Sequence, residues 1–206
     1  MMTQLPNDLQ LDNDFWQFSL SLWQNKTAQE TLLRLQDTQH VRINLLLFSM
    51  WLGMEKKHIA PHMTILLETT ESWHQQVVGP LRHVRKSLSS LYPTTGLKPQ
   101  VQSSELFAEQ IEQSLLFHNA LKIQAIPSTI DKNHSSDNTL TILIENLLAS
   151  ANHPQSMQQL DTLENQKNKN IDRLNHSDLL LLVQACLPVH PEPHIKACIN
   201  LLINSQ

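Results

Sequence analysis

The chain has 206 residues, a formal charge of −4 and 40% apolar side chains, enough for one domain, or one domain with an appendage, around a real core. Three glycines in the whole chain, Gly53, Gly79 and Gly96, argue against β-sandwiches and doubly wound α/β folds, which need glycine at turns, bulges and phosphate loops. An all-α fold is expected, and the mildly acidic balance offers no bulk attraction to nucleic acid.

Residues 1–11 read as a loose arm. The segment from Met1 to Asp14 carries acids and no Lys or Arg, unlike a signal or transit peptide. Asp12 or Asn13 caps a first helix, about 13–24, with Phe15, Trp16, Ser19, Leu22 and Trp23 on its apolar side. Thr27-Ala28-Gln29-Glu30 has the form of a capping box and opens a second helix to about Gln39, with Ala28, Leu32 and Leu35 inward. The run from Ile43 to Met54 predicts a helix buried on all sides. At about 12 residues it is too short to span a membrane, which takes about 20.

A fourth helical region starts near Pro61, a residue suited to a first turn. It carries the clearest period in the chain: Trp73, Val77, Leu81, Val84, Leu88 and Leu91. Gly79-Pro80 predicts a kink or break inside it. A loop follows to about Gln102, then a helix over 104–123 with Phe107, Ile111, Leu115 and His118 on one side. Residues 126–137 have the composition of a linker. Beyond it, a helix over 138–151 places Leu140, Ile144, Leu147 and Ala151 together, and a polar, weakly periodic stretch over 154–175 is assigned to helix. Asn175 or Ser177 caps a helix through Leu187, and a last helix runs from Glu192 to Ile203. The whole reads as a multi-helix bundle: an aromatic-rich core, 12–125, and a C-terminal helical extension, 138–206.

Several of these residues carry a resemblance. Phe15-Trp16-x-Phe18-Ser19-Leu20, Leu35-Gln36-Asp37, Asn44-Leu45-Leu46-Leu47-Phe48, Trp51 and Trp73 match, as do Val77-Val78-x-Pro80-Leu81-Arg82 and Arg85. Over about residues 14–120 the chain resembles an uncharacterised proteobacterial family, the domain of unknown function 2390. Glu105 and Glu109 fit the acidic helix of that family. The resemblance implies a bacterial, cytoplasmic, all-helical protein and brings no activity with it.

Three side-chain groups bear on function. Arg82, Arg85 and Lys86 share a helix face, and no acid lies between Glu71 and Glu105. Such a stripe can neutralise phosphates. Glu105, Glu109 and Glu112 also share a face, so an antiparallel hairpin pairs the two stripes internally, and pairing is the preferred reading. Gln36, Asp37 and Asn44 bring polar groups to apolar helices and, with Glu105 and Glu109, suit a structural hydrogen-bond network better than a catalytic one.

Cys186-x3-His190-x3-His194-x3-Cys198 has the ligand types that zinc prefers. On one straight helix its ends stand about 18 Å apart, so only the breaks at Pro188, Pro191 and Pro193 allow closure. A plain helical hairpin with two buried cysteines is preferred, and no cofactor is expected. No serine elbow, P-loop or dinucleotide fingerprint is present.

The expectation is a non-enzymatic accessory protein of the cytoplasm that docks a protein partner through a helix face. Its docking residues are expected to be Trp73, Arg82, Arg85 and Lys86, since tryptophan and arginine dominate interface energetics. The alternatives are a nucleic-acid-associated regulator using residues 82–86 and an enzyme with a pocket inside the bundle floored by Asn44, Gln36 and Asp37.

Overall fold

The computed structural model of the protein describes residues 5–91, 96–121, 137–153 and 174–204. Among these residues the elements are helical and no strand occurs. In chain order they are α1 (Asp14–Trp23), α2 (Lys26–Gln39), α3 (Ile43–Met54), α4 (Met63–Trp73), α5 (Gly79–Leu91), α6 (Leu97–Ala120), α7 (Asp137–Asn152), α8 (His176–Cys186) and α9 (Glu192–Asn204). A 3-10 turn, Ala60–His62, leads into α4, and a π turn, His74–Val78, joins α4 to α5. The fold is all-α, as the glycine-poor composition requires. No helix among the described residues is long and apolar enough to cross a membrane. Residues 126–136 of the linker expected at 126–137, and residues 154–173 of the stretch expected at 154–175, lie outside the described residues.

Asparagines start three of the helices. Asn13 accepts from the Trp16 N–H at 2.9 Å, Asn25 from Ala28 at 3.1 Å and Asn175 from Asp178 at 2.9 Å. Each answers one of the orphan donors of a helix start. The expected capping box at Thr27 is therefore corrected: α2 begins before Thr27, and Asn25 has taken the cap. The kink or break expected at Gly79-Pro80 takes the form of the π turn. The Gly79 N–H reaches back five residues to His74 O. That wider turn absorbs the missing donor of Pro80 and the clash of its ring with the preceding turn.

The helices group into two compact units, Met1–Gln17 with Thr64–Lys122 and Phe18–Met63 with Ile123–Gln206. In the second unit α3 packs along α7, α2 on α8, and α9 on both α7 and α8. Helix α3 is buried from Asn44 to Gly53. It comes close to α7 at Gly53, where an added Cβ would stand 2.7 Å from Leu143 Cα.

Asn146, on α7, ties down the turn after α3. Its oxygen accepts from the Ile59 N–H at 2.9 Å, and its amide nitrogen donates to Lys57 O at 2.8 Å and Ser49 O at 3.3 Å. Arg34 of α2 pairs with the buried Asp178 of α8.

In the first unit α6 packs against the π turn and α5. Two expectations are corrected here. Helix α6 begins at Leu97, inside the segment expected to be loop. Its inward face also carries Glu105, Ala108 and Glu112, while Phe107 is 53% exposed. Apolar period alone favoured Phe107, yet the cationic side chains of the facing helix select the carboxylate face. Of the arm expected to be loose, the described part is held at its end, where Gln110 of α6 donates to Leu11 O at 3.1 Å.

Candidate functional site

The polar groups of the first unit form a ladder between two antiparallel helices. Spacing made this legible: Arg82 and Arg85 are one turn apart on α5, and Glu105, Glu109 and Glu112 recur every turn on α6. Arg82 Nε donates to Glu105 Oε1 at 3.1 Å, and its Nη2 donates to Glu109. Arg85 donates through Nε to Glu105 Oε2 and through Nη2 to Glu105 Oε1, the latter at 3.1 Å. Beyond Glu109 the ladder continues with His74, whose Nδ1 lies 2.9 Å from Glu112 Oε1, both groups buried.

Sequence reasoning missed the His74 rung. The signal was present, since Glu112 had no arginine opposite it and His74 lies eight residues before Arg82. The π turn belongs to the same arrangement, because His74 is its first residue.

The ladder shifts its carboxyls in opposite directions. Burial alone raises Glu105, but the hydrogen bonds and charges of Arg85 and Arg82 outweigh it and hold the carboxyl below its ordinary value. Burial raises Glu109 too. There Arg82 offsets only part of the shift, and Glu105 and Glu112 add to it. Arg82 Nη1 is buried with no hydrogen-bond acceptor. Two guanidiniums held in this way are poorly placed to meet a phosphate. Their arrangement suits fixing the register of α5 on α6 better than it suits adding stability.

Of the residues expected to dock a partner, Arg82 is buried, Trp73 and Arg85 are half-buried and Lys86 is exposed. The Trp73 indole N–H donates to Ala108 O at 2.9 Å. Arg82 directs its charge at α6, where Glu105 and Glu109 accept its hydrogen bonds. A family model described as protein of unknown function DUF2390 matches residues 14–116. The chain belongs to this family. The match runs from the start of α1 into α6 and takes in every rung of the ladder. No curated protein and no solved structure matches the chain.

Gln36, Asp37 and Asn44 belong to the second unit. Gln36 and Asn44 are buried, and Asp37 is exposed. Gln36 Nε2 is buried without a hydrogen-bond partner.

The Cys/His set is spread over α8, α9 and the turn between them. The His190 and His194 rings stack with centroids 6.3 Å apart, and Cys198 Sγ lies 3.8 Å from Thr141 Oγ1 on α7. Among the described residues no three His, Cys, Asp or Glu side chains are placed to hold a metal ion. The prolines do turn the chain between α8 and α9, but Cys198 packs toward α7 instead of closing on Cys186. Burial pushes the Cys186 thiol up to about 12.

Proposed function

We propose that the protein is a non-enzymatic bacterial accessory protein of the cytoplasm that docks a protein partner through the outer face of α5. The observation that carries this reading is an open apolar stripe on a helix whose other side is engaged. Val77 and Leu81 are half-exposed and Val84 is exposed, spaced four and three residues apart. Exposed His83 lies beside the stripe, and exposed Lys86, two residues from Val84, projects from the far side of the helix. The best-suited partner presents apolar side chains. The nucleic-acid reading loses support because the guanidiniums it needs already meet Glu105 and Glu109.

The test compares wild type, Val84→Asp with Lys86→Glu, and Lys26→Glu as a control at a side chain 85% exposed on α2. Proteins captured from native cells are identified by mass spectrometry. A partner kept by wild type and control, and lost from the α5 variant while its circular dichroism is unchanged, supports the reading. Identical lists from all three reject it.

A further inference from the structure

Helix α6 carries a second stripe, on the side away from its carboxylates. Phe107, Gln110, Ser114, Phe117 and Leu121 follow at spacings of three, four, three and four residues, so they line one helix face. The chain's own N-terminal segment covers the middle of that face. Gln110 Nε2 donates to Leu11 O at 3.1 Å, and Ser114 Oγ donates to Gln10 O. Asp8 Oδ1 lies 3.9 Å from His118 Nδ1. The order Leu11, Gln10, Asp8 against Gln110, Ser114, His118 makes the segment antiparallel to α6. Leu9 and Leu11 are half-buried.

These are contacts by which proteins hold peptides. Two go to backbone carbonyls, which any sequence offers, and one goes to a charged side chain. Toward Phe107 the track also runs past these contacts. From Phe107 to Leu121 the helix rises about 21 Å, a span that an extended chain covers with roughly six or seven residues. The contacts from Asp8 to Leu11 use four residues. Phe117 is buried, yet both ends of the stripe are open. Leu106 and Phe107 are each 53% exposed at one end, and Leu121 is 67% exposed at the other.

The geometry points to the outer face of α6 as a binding track for an extended peptide of a partner protein, which displaces the N-terminal segment. The peptide runs antiparallel to α6. It offers carbonyls to Gln110 and Ser114, a carboxylate to His118, and apolar side chains to Phe107 and Leu106 beyond the point where the segment turns away. Those end contacts are what a partner gains over the tethered segment, which competes at an effective concentration in the millimolar range. Departure of the segment leaves α1 capped, because the Asn13 side chain still accepts from the Trp16 N–H. This face belongs to a different helix from the α5 stripe and stands independently of it.

The experiment uses the full chain with Leu9→Asp and Leu11→Asp, which releases the segment. Two fluorescent peptides are titrated by anisotropy: residues 5–11 of the chain, and the same peptide with two leucines added at its C-terminal end. Binding of both to the released chain is expected, the longer peptide about tenfold tighter, as two apolar side chains can supply. Phe107→Asp should remove that tenfold gain, and the unsubstituted chain should bind about a hundredfold more weakly because its own segment competes.

Absence of binding to a released chain with normal circular dichroism overturns the proposal. Equal binding to released and unsubstituted chains overturns it too, because the track is then not the site. If the released chain does not fold, Gln110→Leu with Ser114→Ala replaces it for one readout, protease cleavage within residues 5–12. Faster cleavage there in an otherwise resistant chain supports the track. Unfolding of this variant as well makes the segment an obligatory part of the core and overturns the proposal. Val84→Asp with Lys86→Glu should leave peptide binding unchanged, so failure on α5 and failure on α6 are told apart.

Discussion

Arg82 Nε and Glu105 Oε1 lie 3.1 Å apart, both side chains buried, on helices that run in opposite directions. Removing one partner of a buried pair leaves the other desolvated and costs about 3–5 kcal/mol. Arg82→Met is therefore expected to destabilise the protein by about that amount, and Glu105→Leu similarly. The double variant should be less destabilised than the sum of the two, with a coupling of about 1–3 kcal/mol in urea unfolding. Additive losses would show that the pair does not hold α5 on α6.

The ladder also predicts a pH dependence with two signs. Glu105 is held below its ordinary value of 4.5, so its stabilisation is present above pH 4.5 and is lost as pH falls through its folded value. Glu109 is raised above the same ordinary value, so its contribution is full below pH 4.5 and is lost as pH rises through its folded value. Unfolding by urea across pH should show Glu105→Gln with a shallower acid loss than wild type. Glu109→Gln should lose the decline on the higher side.

Gly53 tests the packing of α3 on α7. Alanine has the better helix propensity, by about 1 kcal/mol. Its Cβ, however, would meet Leu143 Cα at 2.7 Å, a backbone atom that moves only with its helix. Overpacking of this kind costs about 1–3 kcal/mol. Gly53→Ala is expected to lower the melting temperature despite the propensity gain, and a rise would contradict the close approach.

The two thiols should differ in reactivity. Burial pushes Cys186 up to about 12, so at pH 8 it holds almost no thiolate. Labelling of the folded protein by a disulfide reagent should modify Cys198 faster than Cys186, and denaturant should narrow the difference. Peptide mapping separates the two.

Much of this was legible in the sequence, for reasons that can be named. Arg82 and Arg85 against Glu105 and Glu109 followed from turn spacing, because charges one turn apart share a face and a hairpin brings opposite stripes together. The inward residues of α2 and α7, such as Leu32, Leu35, Ile144 and Leu147, followed from the apolar period, and all are fully buried. The partnership of α3 with α7 did not follow. A helix apolar on every side gives no direction, and Gly53 looks like any glycine until its neighbour is known. Phe107 was assigned inward because period counts apolar side chains and ignores what faces them. The docked N-terminal segment was missed because its contacts are made by backbone carbonyls of Gln10 and Leu11, which have no signature in side-chain pattern.

In the proposed docking, the outer face of α5 meets a protein partner while its inner face is held by α6. The most direct measurement is site-specific photo-crosslinking in the native cell, with the photoreactive side chain placed in turn at Val84 and at Leu33, an exposed leucine on α2. Docking there predicts one discrete protein adduct from position 84 and none from position 33. No adduct from 84, or the same adducts from both positions, would contradict it.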